Sequence, residues 1–254
     1  MKVVFVGAGN VATHLAKELH RNYFDVIQVY SRTIESASAL AQEVHATPIT
    51  DIASIDNSAD LYIFSLKDSV LEEVVSQISS NNGLWIHTAG SIPMDIFDQH
   101  ASRYGVLYPF QTFTKGKEVD WLKVPVFIEA NKSEDIDILR NIAQEISGRV
   151  AVLSSQDRKY VHLTGVFACN FTNHMYALSK LFLNHVNPPF EVSLPLIDET
   201  AAKVHELSPE DAQTGPAVRY DENVINKHLD LIDDENIKQI YKLISENIYK
   251  INKQ

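Results

Sequence analysis

The sequence predicts an α/β fold: a doubly wound, mostly parallel sheet followed by an all-α C-terminal region. Three observations carry this. The chain opens MKVVFVGAGNVATHLAKELH, a β-branched run that breaks into Gly-Ala-Gly and resumes at helical spacing. Short apolar runs then alternate with amphipathic segments as far as 150–153, the order that lays helices on both faces of a parallel sheet. From Gln156 onward only helical periodicity remains. The boundary falls at 154, giving regions 1–154 and 155–254.

Residues 2–6 read as a buried strand, and Leu15 and Leu19 lie at helical spacing after it. The turn between them matches G-x-G-x-x-A at Gly7, Gly9 and Ala12. Gly7 permits a tight turn, Gly9 lets backbone approach a pyrophosphate, and Ala12 keeps helix close to strand. The helix N-terminus adds free N–H groups and partial positive charge, so Gly7, Ala8, Gly9, Asn10 and Val11 are candidate dinucleotide-binding positions. DVIQVY at 25–30 is a second strand, with a helix over 34–44. LYIFSL at 61–66 is a third, followed by a helix over 69–78. LWIH at 84–87, YGVLYP at 104–109, VPVFIE at 124–129 and VAVL at 150–153 complete the strands, with a helix over 135–146 before the last. The helical half breaks at Asn187-Pro188-Pro189, around Pro209 and at Gly215-Pro216.

NAD enzymes of this architecture place an acid at the end of the second strand to bind the ribose hydroxyls. Here Ser31, Arg32 and Thr33 stand there instead. A guanidinium fork and two hydroxyls suit a 2′-phosphate, which favours NADP; otherwise the stretch is a solvated turn in which Thr33 caps the next helix. Ser65, Leu66 and Lys67 end a later strand beside the expected adenosine and pyrophosphate, although Lys67 is equally read as a surface residue. Thr88-Ala89-Gly90-Ser91 follows the next strand with small side chains that leave room for a nicotinamide ring.

The stretch 160–179 contains no Asp, Glu, Lys or Arg. Phe167, Phe171, Met175, Leu178 and Phe182 share one helical face, while His162, Asn170 and Asn173 lie roughly opposite. Such a helix is expected to be central, packed on its own domain with its polar face toward a cleft or another subunit. A His and an Asn there orient or protonate a carbonyl or imine, which makes His162 and Asn170 catalytic candidates and Asn173 a substrate-side one. A buried His162 satisfied by backbone carbonyls is the alternative, and His174 reads as structural. In TGPAVRYD at 214–221, Gly215, Arg219 and Asp221 are candidate substrate-binding positions; Asp221 equally reads as a helix cap paired with Arg219.

A net charge of −11 with no basic stretch argues against a nucleic-acid partner. The single cysteine, Cys169, excludes an intramolecular disulfide and a cysteine-rich zinc site, and no metal is expected. The chain starts on a strand rather than a signal peptide, and its best apolar window holds His162, Asn170, Asn173 and His174. A cytoplasmic protein with no membrane partner is expected.

GAGNVA at the start, YPFQTF at 108–113, VFACNF at 166–171 and TGPAVRYD together resemble a family of Rossmann-like NADP oxidoreductases with a C-terminal domain of unknown function. That family is similar in layout to pyrroline-5-carboxylate reductase, the deazaflavin-dependent NADP reductases and the 6-phosphogluconate dehydrogenase superfamily. The resemblance implies a homodimer built largely through the helical domain. It also implies that His162, Asn170, Gly215, Pro216, Arg219 and Asp221 line the site. Where the family often has His-Pro after the sixth strand, this chain has Tyr108-Pro109, so the resemblance does not by itself carry a catalytic role to position 108; Tyr108 or a bound water is the next proton-donor candidate after His162. The expected activity is NADP-dependent hydride transfer to or from a small carbonyl, imine or hydroxyl compound. The alternatives are a non-catalytic NADP-binding sensor and a reductase that uses deazaflavin as hydride partner.

Overall fold

The computed structural model describes residues 1–253 and divides into two compact units, Met1–His174 and Met175–Gln254. In the first, β1 (Lys2–Val6), α1 (Asn10–Arg21), β2 (Asp25–Tyr30), α2 (Ile34–Glu43) and β3 (Thr47–Ile49) form one winding. The other is β4 (Leu61–Phe64), α3 (Asp68–Gln77), β5 (Leu84–His87), β6 (Tyr104–Pro109), β7 (Pro125–Ala130), α4 (Ser133–Ile146) and β8 (Arg149–Val152). The eight-stranded sheet runs β3-β2-β1-β4-β5-β6-β7-β8, parallel except where β6 meets β7. The expected doubly wound, mostly parallel sheet is therefore present. Its strand order reverses between β1 and β4, and a crevice at the carboxyl ends of such strands is where ligands bind.

Strand side chains alternate between two cores. Val3 and Phe5 face α1 and α4 with Leu15, Leu19 and Ile142, while Val4 and Val6 face α3 with Tyr62, Leu71 and Trp85. Burial on both faces is why the central strands read as unbroken apolar runs. At the end of β1 the chain turns sharply. Gly7 has φ +121°, its N–H donates to Tyr30 O at 2.8 Å, and a Cβ there would lie 2.3 Å from Ser65 O. Only glycine fits that position.

Alternating strands and helices end at Val152, and α5 (Ser155–Gly165) begins the helical part. Packing with the first unit nevertheless continues to His174. Glu129 on β7 accepts from Ser155 N at 2.7 Å and from Ser155 Oγ and Arg158 Nη1 at 2.6 Å. Arg158, 1% exposed, also donates to Ile92 O at 2.6 Å. These bonds clamp the start of α5 to the sheet. The helix then passes through a π turn at Val166–Phe171 into α6 (Thr172–Leu183).

The expected packing of the 160–179 stretch differs. None of its residues is buried, and Phe167 and Phe171, stacked edge to face at 5.0 Å, are 62% and 50% exposed. The π turn widens the helical repeat over Phe167 and Phe171.

The second unit adds α7 (Leu194–Lys203), α8 (Pro209–Ala212), α9 (Pro216–Arg219), α10 (Glu222–Asp230) and α11 (Glu235–Ile251). Tyr220 stacks on Tyr249 at 5.0 Å, and His228 Nδ1 is 2.8 Å from Tyr241 Oη. Met175, Leu178, Phe182, Ile237, Ile240 and Ile244 line an apolar groove of about 720 Å³. No helix among the described residues is long and apolar enough to cross a membrane.

Candidate active site

Two cavities of the first unit gather most of the expected residues. One, about 480 Å³, lies over the β1–α1 turn. Gly7, Ala8 and Gly9 line it from below, with Ser31, Arg32 and Ser36 on one side and Ser65, Leu66 and Lys67 on the other. Gly9 caps α1 in extended conformation with no side-chain bond, and a Cβ built on it meets no atom within 4 Å. Unlike Gly7, then, Gly9 is not needed by the fold. Its missing side chain leaves a cradle in front of the uncapped N–H groups of α1, which suits a pyrophosphate. The residues fit a dinucleotide.

Two hydroxyls do not reach this cavity. Thr33 Oγ1 accepts from Ser36 N at 3.4 Å and donates to Ser36 Oγ at 3.0 Å, so its hydroxyl caps α2 and Ser36 takes its place at the cavity. Thr88 is buried and donates to Ser65 Oγ at 3.1 Å. Together with a bond from Ser91 to Asp68, this ties the loops after β4 and β5 into one floor.

The second cavity, about 410 Å³, takes in Asn10 and Val11 of the nucleotide loop together with Tyr108, Gln111, His162 and Asn170. Its key contact was not legible in local spacing. Tyr108 at the end of β6 places its hydroxyl 3.2 Å from His162 Nδ1 on α5, a hydrogen bond in which the tautomer decides the donor. Burial pushes the Tyr108 phenol up to about 12, opposed by the nearby Arg158 guanidinium, so the hydroxyl keeps its proton at neutral pH.

Gly90 makes this approach possible, because a Cβ there would sit 2.5 Å from His162 Nδ1. The space expected for a nicotinamide ring beside Gly90 is thus occupied by the histidine ring. Beneath it, His87 is fully buried and pushed down to about 3, by burial first and then by Arg158. Neutral, it accepts from Ala89 N at 3.1 Å and faces Pro93 O at 3.3 Å, which shapes the loop that receives His162.

Asn173 and His174 are exposed and line neither cavity. In the second unit, Asp221 caps α10 by accepting from Val224 N at 3.3 Å, Gly215 has φ +102° before α9, and Arg219 is exposed. Among the described residues no group of three or more His, Cys, Asp or Glu side chains is placed to hold a metal.

Residues 2–88 match the family described as NADP oxidoreductase coenzyme F420-dependent, and residues 124–248 match a Domain of unknown function (DUF2520). A candidate NADP oxidoreductase from Bacteroides fragilis, solved by crystallography, is 53% identical; the match covers 98% of each chain, with a TM-score of 0.91. The chain belongs to this NADP oxidoreductase family. Within it, the present chain joins a nucleotide-binding first half to the domain of unknown function. The pyrroline-5-carboxylate reductase of Streptococcus pyogenes is 15% identical over 98% of each chain, with a TM-score of 0.66. An imine reductase of Myxococcus stipitatus, solved in complex with NADP+, is 12% identical over 100% of this chain and 93% of its own, with a TM-score of 0.65. At those identities the likeness is one of fold alone. No curated protein matches the chain.

Proposed function

We propose that this chain is an NADPH-dependent oxidoreductase that moves a hydride between the nicotinamide and a small carbonyl, imine or hydroxyl compound. One observation carries the reading: Asn10 and Val11 of the nucleotide loop open onto the cavity that holds the Tyr108–His162 pair. Gly7, Ala8 and Gly9 would hold the pyrophosphate, and Ser31, Arg32 and Ser36 the 2′-phosphate, with Lys67 nearby. The bound nucleotide supplies or accepts the hydride at the substrate carbon. In the reducing direction His162 gives a proton to the substrate oxygen or nitrogen as negative charge develops there. Tyr108 holds the imidazole in position through their hydrogen bond and keeps its own proton, and solvent water returns the proton that His162 gives up. Asn170 orients the reacting group, and Phe110 and Phe113 give the cavity an aromatic wall.

The 2′-phosphate assignment is tested by fluorescence titration of Arg32→Ala. NADPH affinity is expected to fall by about 1.5–3 kcal/mol, the contribution of a charge-assisted hydrogen bond, with NADH nearly unchanged. Equal losses for both would remove Arg32 from the 2′-phosphate. Deazaflavin as hydride partner is less well supported, because the match that names it covers residues 2–88, the nucleotide half alone.

The same reading includes a homodimer. Phe167 and Phe171 in the first unit, and Leu181, Leu196 and Leu243 in the second, are exposed apolar side chains, and such exposure favours association in water. Light scattering at micromolar concentration is expected to give the mass of two chains. A monomer throughout that range would refute it.

A further inference from the structure

One segment lines both cavities. Phe110 to Phe113 form a wall of the reaction cavity, and two residues later Lys115 lines the nucleotide cavity beside Gly7, Ala8 and Gly9. The backbone between is held to the start of α1. Asn10 Nδ2 donates to Phe113 O at 2.9 Å, and His14 Nε2 lies 3.0 Å from Thr114 O. The Phe113 ring is buried, 5.5 Å from Trp121 and 5.3 Å from His14.

Charge singles out the lysine. Although the chain carries −11, the nucleotide cavity is lined by three cations, Arg32, Lys67 and Lys115, against one acid, Glu73. None of the three takes part in an ion pair among the described residues. An unpaired cation held at a helix N-terminus by a pinned loop is placed for a phosphate, and a lysine's flexible stem lets it reach one as a point charge.

We propose that Lys115 is a nucleotide-phosphate ligand, and that through it the 110–115 segment, already the substrate-facing wall, is held more firmly when NADPH binds. The proposal rests on reading the first cavity as the nucleotide site. Its consequence is a coupling of the two cavities: nucleotide bound in the first steadies the wall of the second.

The test uses the full-length protein, Lys115→Met and Lys115→Arg, with NADPH and NADH titrations and amide hydrogen exchange over 110–115. Lys115 is exposed, so neither change disturbs the core. In the wild type, saturating NADPH is expected to slow exchange over 110–115. Lys115→Met is expected to bind NADPH roughly ten- to a hundredfold more weakly, the range for a charge-assisted bond, and Lys115→Arg to keep most of the affinity. At saturation the Met variant is expected to leave 110–115 exchanging as in the free protein. Weakening confined to NADPH puts Lys115 on the 2′-phosphate; weakening of both nucleotides puts it on the pyrophosphate. Either supports the proposal. Wild-type affinity in Lys115→Met, or wild-type protection at saturation, overturns it while leaving the nucleotide site intact. A wild-type protein that binds no nucleotide overturns both.

Discussion

A Gly9→Val protein is expected to fold normally and to bind neither NADPH nor NADH. The two glycines of the opening turn separate structure from ligand. At Gly9 φ is −76°, ordinary for any residue, and a Cβ meets nothing within 4 Å, so a β-carbon is accommodated without strain. The branches of valine then fill the cradle in front of the α1 N-terminus, where the phosphates must come within hydrogen-bond distance of backbone N–H groups. Both nucleotides share the pyrophosphate, so both are lost. At Gly7 the situation is reversed: φ is +121° and a Cβ would lie 2.3 Å from Ser65 O, so substitution there strikes the sheet itself. Circular dichroism melts and nucleotide fluorescence titrations on Gly9→Val read the two effects separately. Undiminished affinity in the folded variant would reduce the opening stretch to a strand–helix turn.

The second large effect is on turnover. His162→Gln keeps a side chain that can hydrogen-bond Tyr108 but loses the group that takes up and releases a proton. General acid–base catalysis contributes ~10²–10⁴-fold, so turnover of a substrate is expected to fall by that order and to lose its dependence on this ionisation. Nucleotide affinity is expected to stay, because His162 lines the second cavity and not the first. Tyr108→Phe removes the hydroxyl 3.2 Å from Nδ1 while keeping the ring against Phe110 and Phe127. Its smaller loss measures how far the phenol, kept neutral by burial, supports the imidazole. Asn170→Ala is expected to lower turnover with little change in nucleotide binding. A His162→Gln enzyme working at the wild-type rate with the same pH profile would make this histidine structural, and the proton donor would be sought elsewhere.

The centre of the sheet was legible because β1, β4, β5 and β6 are buried on both faces and so stand out as continuous apolar runs. β3 was missed: Thr47–Ile49 is three residues long, at the sheet edge, and contains Pro48. The antiparallel course of β7 is set by its pairing with β6 across the sheet, which no local pattern records.

At the candidate site, what the sequence could supply was local. Gly7, Ala8, Gly9, Ser31, Arg32 and Lys67 are found around one cavity because a strand–turn–helix motif and a strand end dictate it. Thr33 shows the limit. A threonine before a helix is both a phosphate donor and a cap by type, and the cap is the bond made here. Tyr108 and His162 are far apart in the chain, and they meet only because Glu129 and Arg158 clamp α5 to the sheet while Gly90 gives way. Lys115 was invisible for the same reason, since its loop is placed by Asn10 and His14 across the fold.

The most direct measurement is a crystal structure of the protein grown with NADP+. The pyrophosphate is expected over Gly7–Gly9, the 2′-phosphate at Arg32, and the nicotinamide ring passing Asn10 and Val11 so that its C4 opens onto the cavity of Tyr108 and His162. A nucleotide bound with its nicotinamide directed away from that cavity, or bound anywhere other than the β1–α1 turn, would contradict this placement.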